Sequence, residues 1–343
     1  MKYHHYTRAF VLLFLSTVTF FGCEQIEKPQ TARTVKGEVS LGGTLKVPVS
    51  ELPSEIEPLT MKGADASQIG VHVLEGLVRL DPSTSKIIPG LAESWSMESS
   101  GNSYVFNLRK GAKFHHNTGF DNSSREVTTA DVVYSFEQLA KNADSTLFKA
   151  TLGGRLLGGK AYRFGEAPSI QGLYVVDDYT LKMVLTKPDE SFLYVLAQPA
   201  MGVVSKNLGR EAESVSAGPF SLLEAGEDVT LVRNPDYYLQ DEFGNNYPYI
   251  DTLKFVRAGQ NTEKLDAFFE GKIDIIRNME LDPVRSILES HVADFSGKDA
   301  KYIMQREADN ASYETYSIYR KGIKHMGSGF MGYQDFSRTQ IEQ

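Results

Sequence analysis

The sequence predicts a mixed α/β protein, because segments with strand-like alternation are interspersed with segments that have helical spacing. Tyr104, Phe106 and Leu108 alternate with Val105 and Asn107, and the end of the segment is marked by Gly111, which is typical of a half-buried strand. Thr128 can cap a helix with Asp131 at its third position, and apolar residues then recur every three or four positions. Their mixture favours the α/β or α+β class over all-helical or all-strand folds.

The remaining elements follow from the same two periodicities. Helices are expected over residues 66–77, 128–139 and 262–270, and strands over residues 44–49, 104–108, 181–185, 229–231 and 272–276. Residues 281–319 contain the pattern of one further helix followed by strands. Residues 321–343 have closely spaced glycines and no clear period, so this segment is predicted to be irregular.

The first residues indicate export from the cytoplasm. Lys2 and Arg8 precede an apolar run over residues 9–21, which is too short to span a bilayer comfortably but suits a signal peptide over residues 1–22. Cys23 is the only cysteine, and it follows Gly22 at the end of this run. An apolar run ending in Gly-Cys resembles a bacterial lipoprotein cleavage site, so Cys23 is the predicted lipidation site. Polar residues 23–42 are expected to form a solvated tether to the membrane.

Composition excludes some classes of function. The chain has 343 residues, of which 41% are hydrophobic, so it can bury more than one core. Its formal net charge is −8, and loss of the basic leader makes it more negative. Nucleic acid is therefore not an expected partner, since a phosphate-binding surface needs a basic excess.

No constellation of residues predicts catalysis or metal binding. The sequence lacks a serine flanked by glycines at a strand-to-helix elbow, and its glycine pairs are not followed by the residues of a phosphate-binding loop. His115 and His116 are adjacent, and neighbouring side chains in an extended segment point to opposite faces. They are interpreted as part of a polar turn, so no catalytic residue, metal or cofactor is predicted.

A series of short motifs carries a resemblance to a known family. In chain order these are residues 74–77 (LEGL), 89–95 (PGLAESW), 104–106 (YVF), 108–111 (LRKG), 113–115 (KFH), 129–136 (TADVVYSF), 218–220 (GPF), 233–238 (RNPDYY) and 271–275 (GKIDI). Together and in this order they closely resemble the family 5 extracellular solute-binding proteins, which are the peptide and nickel receptors of ABC importers. Each motif alone is weak, whereas the ordered set covers residues 74–275.

The resemblance implies a periplasmic-binding-protein-like fold with two lobes and a subdomain inserted in the first lobe. The first lobe is expected over residues 43–73 and 170–276, and the inserted subdomain over residues 74–169. Residues 277–343 are expected to contain the beginning of the second lobe and the irregular tail. Family members run further, so the second lobe is expected to be incomplete and ligand closure to be weakened.

The resemblance also implies a function and partners. A monomeric receptor in the periplasm or at the cell surface is expected to capture a peptide or similar small solute and deliver it to an ABC permease. Asp65, in the loop after the first strand, and Phe148, after the capped helix, are the candidate ligand contacts, with ordinary loop residues as the alternative for each. Two other functional interpretations remain open: a truncated, non-functional copy of such a receptor, or a secreted lipoprotein hydrolase.

Overall fold

The computed structural model describes residues 33–82, 84–120, 124–208, 215–259, 262–279, 281–307, 315–324 and 340–341. The strands are β1 (Arg33–Val35), β2 (Val39–Leu41), β3 (Thr44–Val49), β4 (Val78–Leu80), β5 (Ile87–Pro89), β6 (Ala92–Met97), β7 (Ser103–Leu108), β8 (Leu173–Asp177), β9 (Thr180–Val184), β10 (Phe220–Ala225), β11 (Asp228–Arg233), β12 (Thr252–Arg257), β13 (Ile275–Met279), β14 (Tyr302–Glu307), β15 (Thr315–Arg320), β16 (Ile323–Lys324) and β17 (Gln340–Ile341). The α-helices are α1 (Ala64–Val73), α2 (Thr129–Asn142), α3 (Ser145–Ala150), α4 (Gly159–Arg163), α5 (Phe192–Leu196), α6 (Thr262–Phe269) and α7 (Leu281–Phe295). The predicted mixed α/β class is confirmed.

Sheet I has the strand order β10-β11-β12-β3. Strands β12 and β3 are parallel, with Thr252 opposite Thr44, whereas the other pairs are antiparallel. Every second residue of β3 is buried, which is the alternation expected of a strand with one covered face. These buried residues are Leu45, Val47 and Val49. Sheet I therefore places the carboxyl end of β3 beside the carboxyl end of β12.

Sheet II is antiparallel and has the order β6-β7-β9-β8. Tyr104 and Phe106 of β7 lie opposite Met183 and Leu181 of β9, and all four side chains are buried. Helix α2 contributes its apolar stripe to the same core, as predicted. Its amino terminus forms the predicted capping box, in which the Asp131 carboxylate accepts hydrogen bonds from the Thr128 backbone N–H (2.9 Å) and hydroxyl (2.8 Å).

Sheet II contains strands from both sides of the expected boundary between the inserted subdomain and the first lobe. The prediction ended the insertion at residue 169, yet strands β8 and β9, over residues 173–184, complete the sheet that β6 and β7 begin. The chain returns to sheet I only at β10. Alternation identifies a strand but does not identify its neighbour, so the sequence alone did not assign β8 and β9 to this sheet. The boundary at residue 169 stays a prediction.

Sheet III has the order β13-β15-β14 and packs with α6 and α7. It has a hydrophobic core separate from the one shared by sheets I and II, and its buried members are Phe268, Ile273, Ile276, Met279, Ile287, Tyr302 and Ile318. The predicted strand over residues 272–276 is observed at Ile275–Met279, so it begins three residues later. Helix α1 ends at Val73, whereas the predicted helix extended to Leu77, which is buried beyond the helix.

The two ends of the described chain are more ordered than expected. Strands β1 and β2 form a hairpin within the predicted tether, and Val39 is buried. In the predicted irregular tail, β16 pairs with β17. The predicted signal peptide and Cys23 lie outside the described residues. Within the described ranges, no helix is both long enough and apolar enough to cross a bilayer.

A buried histidine joins the chain after β7 to the segment that leads into sheet I. The His115 backbone N–H donates to the Ser216 carbonyl (2.8 Å), and the His115 Nε2–H donates to the Gly218 carbonyl (2.9 Å). Burial lowers the pKa of the imidazole from 6.5 to about 4; the bond to Gly218 opposes this shift and the Arg125 charge adds to it. His116 is exposed, so the two histidines do face different environments.

Lowering the pH should destabilise the fold through His115. An unfolded histidine binds a proton below about pH 6.5, whereas folded His115 binds one only below about pH 4. Between these values only the unfolded chain gains the proton, so stability should fall as pH falls, by up to about 3 kcal/mol. Urea denaturation at several pH values, followed by the fluorescence of the single tryptophan, Trp95, measures this loss.

His116→Gln is the matched control, because His116 is adjacent and exposed. The chain with this control substitution should retain the pH dependence of the parent, whereas His115→Gln should flatten the dependence between pH 6.5 and about 4. Parallel pH curves for the parent and His115→Gln would show that His115 does not contribute.

Candidate functional site

The loop that follows β3 is held by Asp65, one of the two predicted ligand contacts. Asp65 lies in the first turn of α1, and its Oδ2 accepts hydrogen bonds from the backbone N–H groups of Ser50 (2.9 Å) and Glu51 (2.8 Å). A carboxylate that accepts two N–H groups is well placed to order a loop. The structure thus gives Asp65 a defined task at the carboxyl end of β3, where it orients the loop backbone.

The same loop is tied to the helix that carries Phe148. Lys62 forms an ion pair with Asp144, and Asp144 also caps α3 by accepting a hydrogen bond from the Leu147 backbone N–H (2.8 Å). Through this contact the structure links the regions around Asp65 and Phe148, although the two candidates have separate environments. Both members of the ion pair are exposed, so the contribution of the pair to stability is small.

Phe148 lies in the hydrophobic core, with only 4% of its surface exposed. The Arg163 guanidinium stacks over its ring, 4.5 Å from the ring centre, and donates a hydrogen bond to the Ala140 carbonyl (2.7 Å). This arrangement fastens α4 to α2 and α3. A contact between Phe148 and a ligand remains a prediction, and the ring has little free surface for one.

A cavity lies between the end of α1 and the segment over residues 197–199. Its polar lining consists of Glu75, Arg79 and Gln198, and the other lining residues are apolar. The Tyr237 hydroxyl donates to Glu75 Oε2 (3.0 Å) and accepts from Arg79 (2.9 Å), and Arg79 Nε lies 3.6 Å from Glu75 Oε1. Because these groups bind one another, they join the segment after α1 and strand β4 to the loop after β11.

Asp274 is a functional candidate that sequence reasoning missed. It precedes β13 and is 7% exposed. Its Oδ2 accepts a hydrogen bond from the Lys46 backbone N–H of β3 (2.8 Å), and its Oδ1 accepts one from Arg320 Nε of β15 (2.9 Å). The carboxylate therefore bridges sheet I and sheet III.

A signal for Asp274 exists in the sequence. This acid lies within the otherwise apolar run Ile273, Ile275 and Ile276. Charged residues are almost never fully buried unless they are paired, so an acid in such a run indicates a buried partner of opposite charge. The sequence does not reveal that the partner is Arg320, which lies 46 residues further along the chain.

The comparison with protein families decides the assignment. The sequence profile of the bacterial extracellular solute-binding proteins, family 5, middle region, matches residues 86–319, which is more than half of the chain. The chain belongs to family 5 of the bacterial extracellular solute-binding proteins. The resemblance inferred from the ordered motifs is thereby confirmed. Family 5 consists of solute-binding proteins and is not a family of enzymes.

Characterised relatives carry names of two solute classes. The chain is 32% identical over 206 residues to the dipeptide-binding protein of Escherichia coli K12, which covers 56% of this chain and 36% of that protein. It is 30% identical over 305 residues to heme-binding protein A of Haemophilus influenzae, which covers 82% of this chain and 54% of that protein. The chain thus spans about half the length, or less, of these relatives.

Solved structures confirm the periplasmic-binding-protein fold over the part they cover. The murein tripeptide binding protein MppA of Escherichia coli has a TM-score of 0.62 at 23% identity, covering 78% of this chain and 51% of that one. DppA of Helicobacter pylori, in complex with the peptide STSA, has a TM-score of 0.59 at 23% identity over 78% and 51% of the two chains. At this identity the likeness concerns the fold alone.

Replacing Asp65 with alanine should release the start of the loop after β3. The Ser50 and Glu51 amides lose their acceptor, and hydrogen bonds to a charged group contribute roughly 1.5–3 kcal/mol. Because these amides are near the surface, we expect their hydrogen exchange to accelerate by about tenfold, at the lower end of that range. Exchange measured by mass spectrometry on peptides covering residues 48–54 reports the change.

Glu51→Gln is the matched control, since it removes a neighbouring exposed acid but retains the backbone N–H that Asp65 binds. Exchange in this variant should equal that of the parent. If Asp65→Ala left the exchange of both amides unchanged, the loop would be ordered by other contacts.

Proposed function

We propose that this chain captures short peptides outside the cytoplasm for an ABC importer, as a non-enzymatic receptor anchored to the membrane through acylated Cys23. The observation that carries the proposal is membership of family 5, established by the match over residues 86–319. The receptor acts as a monomer in the periplasm or at the cell surface. Its partner is the permease of the importer, which receives the solute.

The names of the relatives support a peptide as the solute. Besides the dipeptide-binding protein of Escherichia coli, di/tripeptide-binding protein 4 of Pseudomonas aeruginosa is 28% identical over 256 residues, or 67% of this chain. An extended peptide offers backbone donors and acceptors that two facing lobes can bind, while side chains occupy permissive pockets. The loop that Asp65 orders lies at the carboxyl end of β3 and is our candidate for one wall of this cleft.

Within this proposal Asp65 and Phe148 act differently from the direct contacts that the sequence suggests. Asp65 is a positioning residue, because its carboxylate holds the backbone of residues 50–51 in one orientation. Phe148 is buried in the core and holds α3 in place. The cap of α3, Asp144, binds Lys62 of the loop. Substituting either residue would then alter peptide affinity by changing the order of the loop.

Heme is the second candidate solute, because the match to heme-binding protein A of Haemophilus influenzae covers 82% of this chain, more than the dipeptide-binding match does. The two solutes differ in chemistry. Heme is a large flat apolar group with two carboxylates, whereas a dipeptide is small and zwitterionic. A cleft suited to one should therefore discriminate strongly against the other.

Titration calorimetry with the full chain in detergent tests the solute. A mixture of dipeptides and tripeptides should produce saturable heat, and single amino acids should not, since they lack the peptide backbone that the cleft is proposed to bind. Asp65→Ala should weaken the binding by roughly tenfold, in line with the loss of loop order, whereas Glu51→Gln should not.

Saturable binding of hemin, without binding of peptides, would replace the first candidate with the second. Absence of binding for both solutes would contradict the proposal that this chain is itself a receptor. Peptide hydrolysis during the titration, detected by mass spectrometry, would support the hydrolase alternative instead.

Metabolic labelling with an alkyne fatty acid in a bacterial host tests the anchor. The parent chain should incorporate the label at Cys23, because the apolar run ending at Gly22 resembles a lipoprotein cleavage site. Cys23→Ala should abolish incorporation, and the protein should move from the membrane fraction to the extracytoplasmic soluble fraction. Equal labelling of the parent and the alanine variant would refute the anchor without affecting the proposed solute.

A further inference from the structure

We infer that Asp274 is a positioning residue which, with Arg320, sets the orientation of sheet III relative to sheet I. The inference deepens the proposed function, because a cleft between two lobes opens and closes only as far as their junction permits. It requires no ligand, so it can fail while the proposed function stands.

Sheet I and sheet III both bind the buried carboxylate of Asp274. From sheet I, the Lys46 backbone N–H donates to Asp274 Oδ2 and the Lys46 carbonyl accepts from the Asp274 N–H, both at 2.8 Å. From sheet III, Arg320 Nε donates to Oδ1 (2.9 Å), and the Arg320 backbone N–H donates to the Asp274 carbonyl (3.1 Å). Each sheet is thus bound to this residue by a side-chain contact and a main-chain contact.

The side-chain ends of Lys46 and Arg320, the two partners of Asp274, are also hydrogen-bonded. Lys46 Nζ donates to the Gly271 carbonyl (2.6 Å), in the turn between α6 and Asp274. Arg320 donates to the Phe268 carbonyl (3.0 Å), and its guanidinium lies 5.6 Å from the Phe268 ring centre and 5.7 Å from that of Tyr302. The orientation of the Arg320 guanidinium is therefore fixed, as well as its contact with Asp274.

Asp274 lies between the two hydrophobic cores. Ile273 and Ile276 belong to the core of sheet III, whereas Ile275 belongs to the core of sheets I and II. Apolar contacts are non-directional and tolerate sliding, whereas hydrogen bonds weaken steeply when their angles change. At the boundary between two cores, the directional contacts of Asp274 are the ones that can select one orientation.

The consequence is a junction with one favoured geometry. If sheet III rotated against sheet I, the Lys46 and Arg320 contacts could not both be kept, and a buried charge would lose a partner. Substituting Asp274 with asparagine retains the size of the side chain but offers one acceptor where the carboxylate offers two. The two sheets should then adopt a wider range of orientations while each keeps its own core.

Distance measurement between spin labels tests the inference on the full chain with Cys23→Ala, which removes the only native cysteine. Labels are attached at Glu224→Cys on β10 and Val292→Cys on α7, two exposed positions on the two sides of the junction. The parent should show one narrow distance distribution. Asp274→Asn and Arg320→Gln should each broaden it by roughly twofold as further orientations become populated.

Asp189→Asn is the matched control. Asp189 forms a part-buried pair with Arg155 of the same kind, Nε to Oδ2 at 3.0 Å, but within the region of sheet II. This variant should retain the narrow distribution. Trp95 of β6 reports whether sheet II stays folded in each variant, so a change at the junction is distinguished from global unfolding.

Three outcomes would overturn the inference. An unchanged distribution in both Asp274→Asn and Arg320→Gln would show that other contacts set the orientation. Equal broadening in Asp189→Asn would show a general response to loss of a salt bridge. Global unfolding of both junction variants, reported by Trp95, would show that the pair supports the whole fold and not the orientation of one sheet.

Discussion

The junction between sheet I and sheet III depends on the buried carboxylate of Asp274. An ionised group removed from water must be paired and hydrogen-bonded, or its burial is strongly unfavourable. Meeting this requirement brings β3, the turn after α6 and β15 to one point. The relative position of sheet I and sheet III depends on that convergence.

Buried hydrogen bonds, referred to below as polar joints, also connect distant segments elsewhere in the structure. His115 binds the carbonyl of Gly218, and the Glu75, Arg79 and Tyr237 side chains bind one another beside the cavity at the end of α1. In each case directional contacts unite segments far apart in sequence, next to the apolar core that sheets I and II share. Burial of apolar surface supplies most of the stability, and the polar joints specify which arrangement of the sheets is adopted.

The local elements were largely predictable. Strands β3, β7, β9 and β11 lie where alternation placed them, and α2 begins at the capping box read from Thr128 and Asp131. These signals succeed because each depends on residues within a few positions of one another. The ordered motifs likewise sufficed to recognise the family, since they are strings of neighbouring residues.

Ligand contact by the two candidate residues stays a prediction, but their surroundings could not be read from the sequence. Phe148 was expected in a ligand wall and lies in the core beneath Arg163, while Asp65, in the first turn of α1, binds the backbone of the loop after β3. An aromatic ring or an acid in a loop looks the same in sequence whether it faces a cleft or the interior. The structural importance of Asp274 also escaped notice, although its place between isoleucines marked it as a buried charge.

By itself, therefore, the sequence determined the α/β class, the family and most local elements, together with the expectation of an exported chain anchored at Cys23. Only the tertiary structure decided that β8 and β9 belong to sheet II, that sheet III has its own core, and that Asp274 pairs with Arg320. The physical reason is the separation along the chain of the residues that interact. Propensity, capping and periodicity act between neighbours along the chain, whereas strand pairing and the pairing of buried charges join residues that only the folded chain brings together.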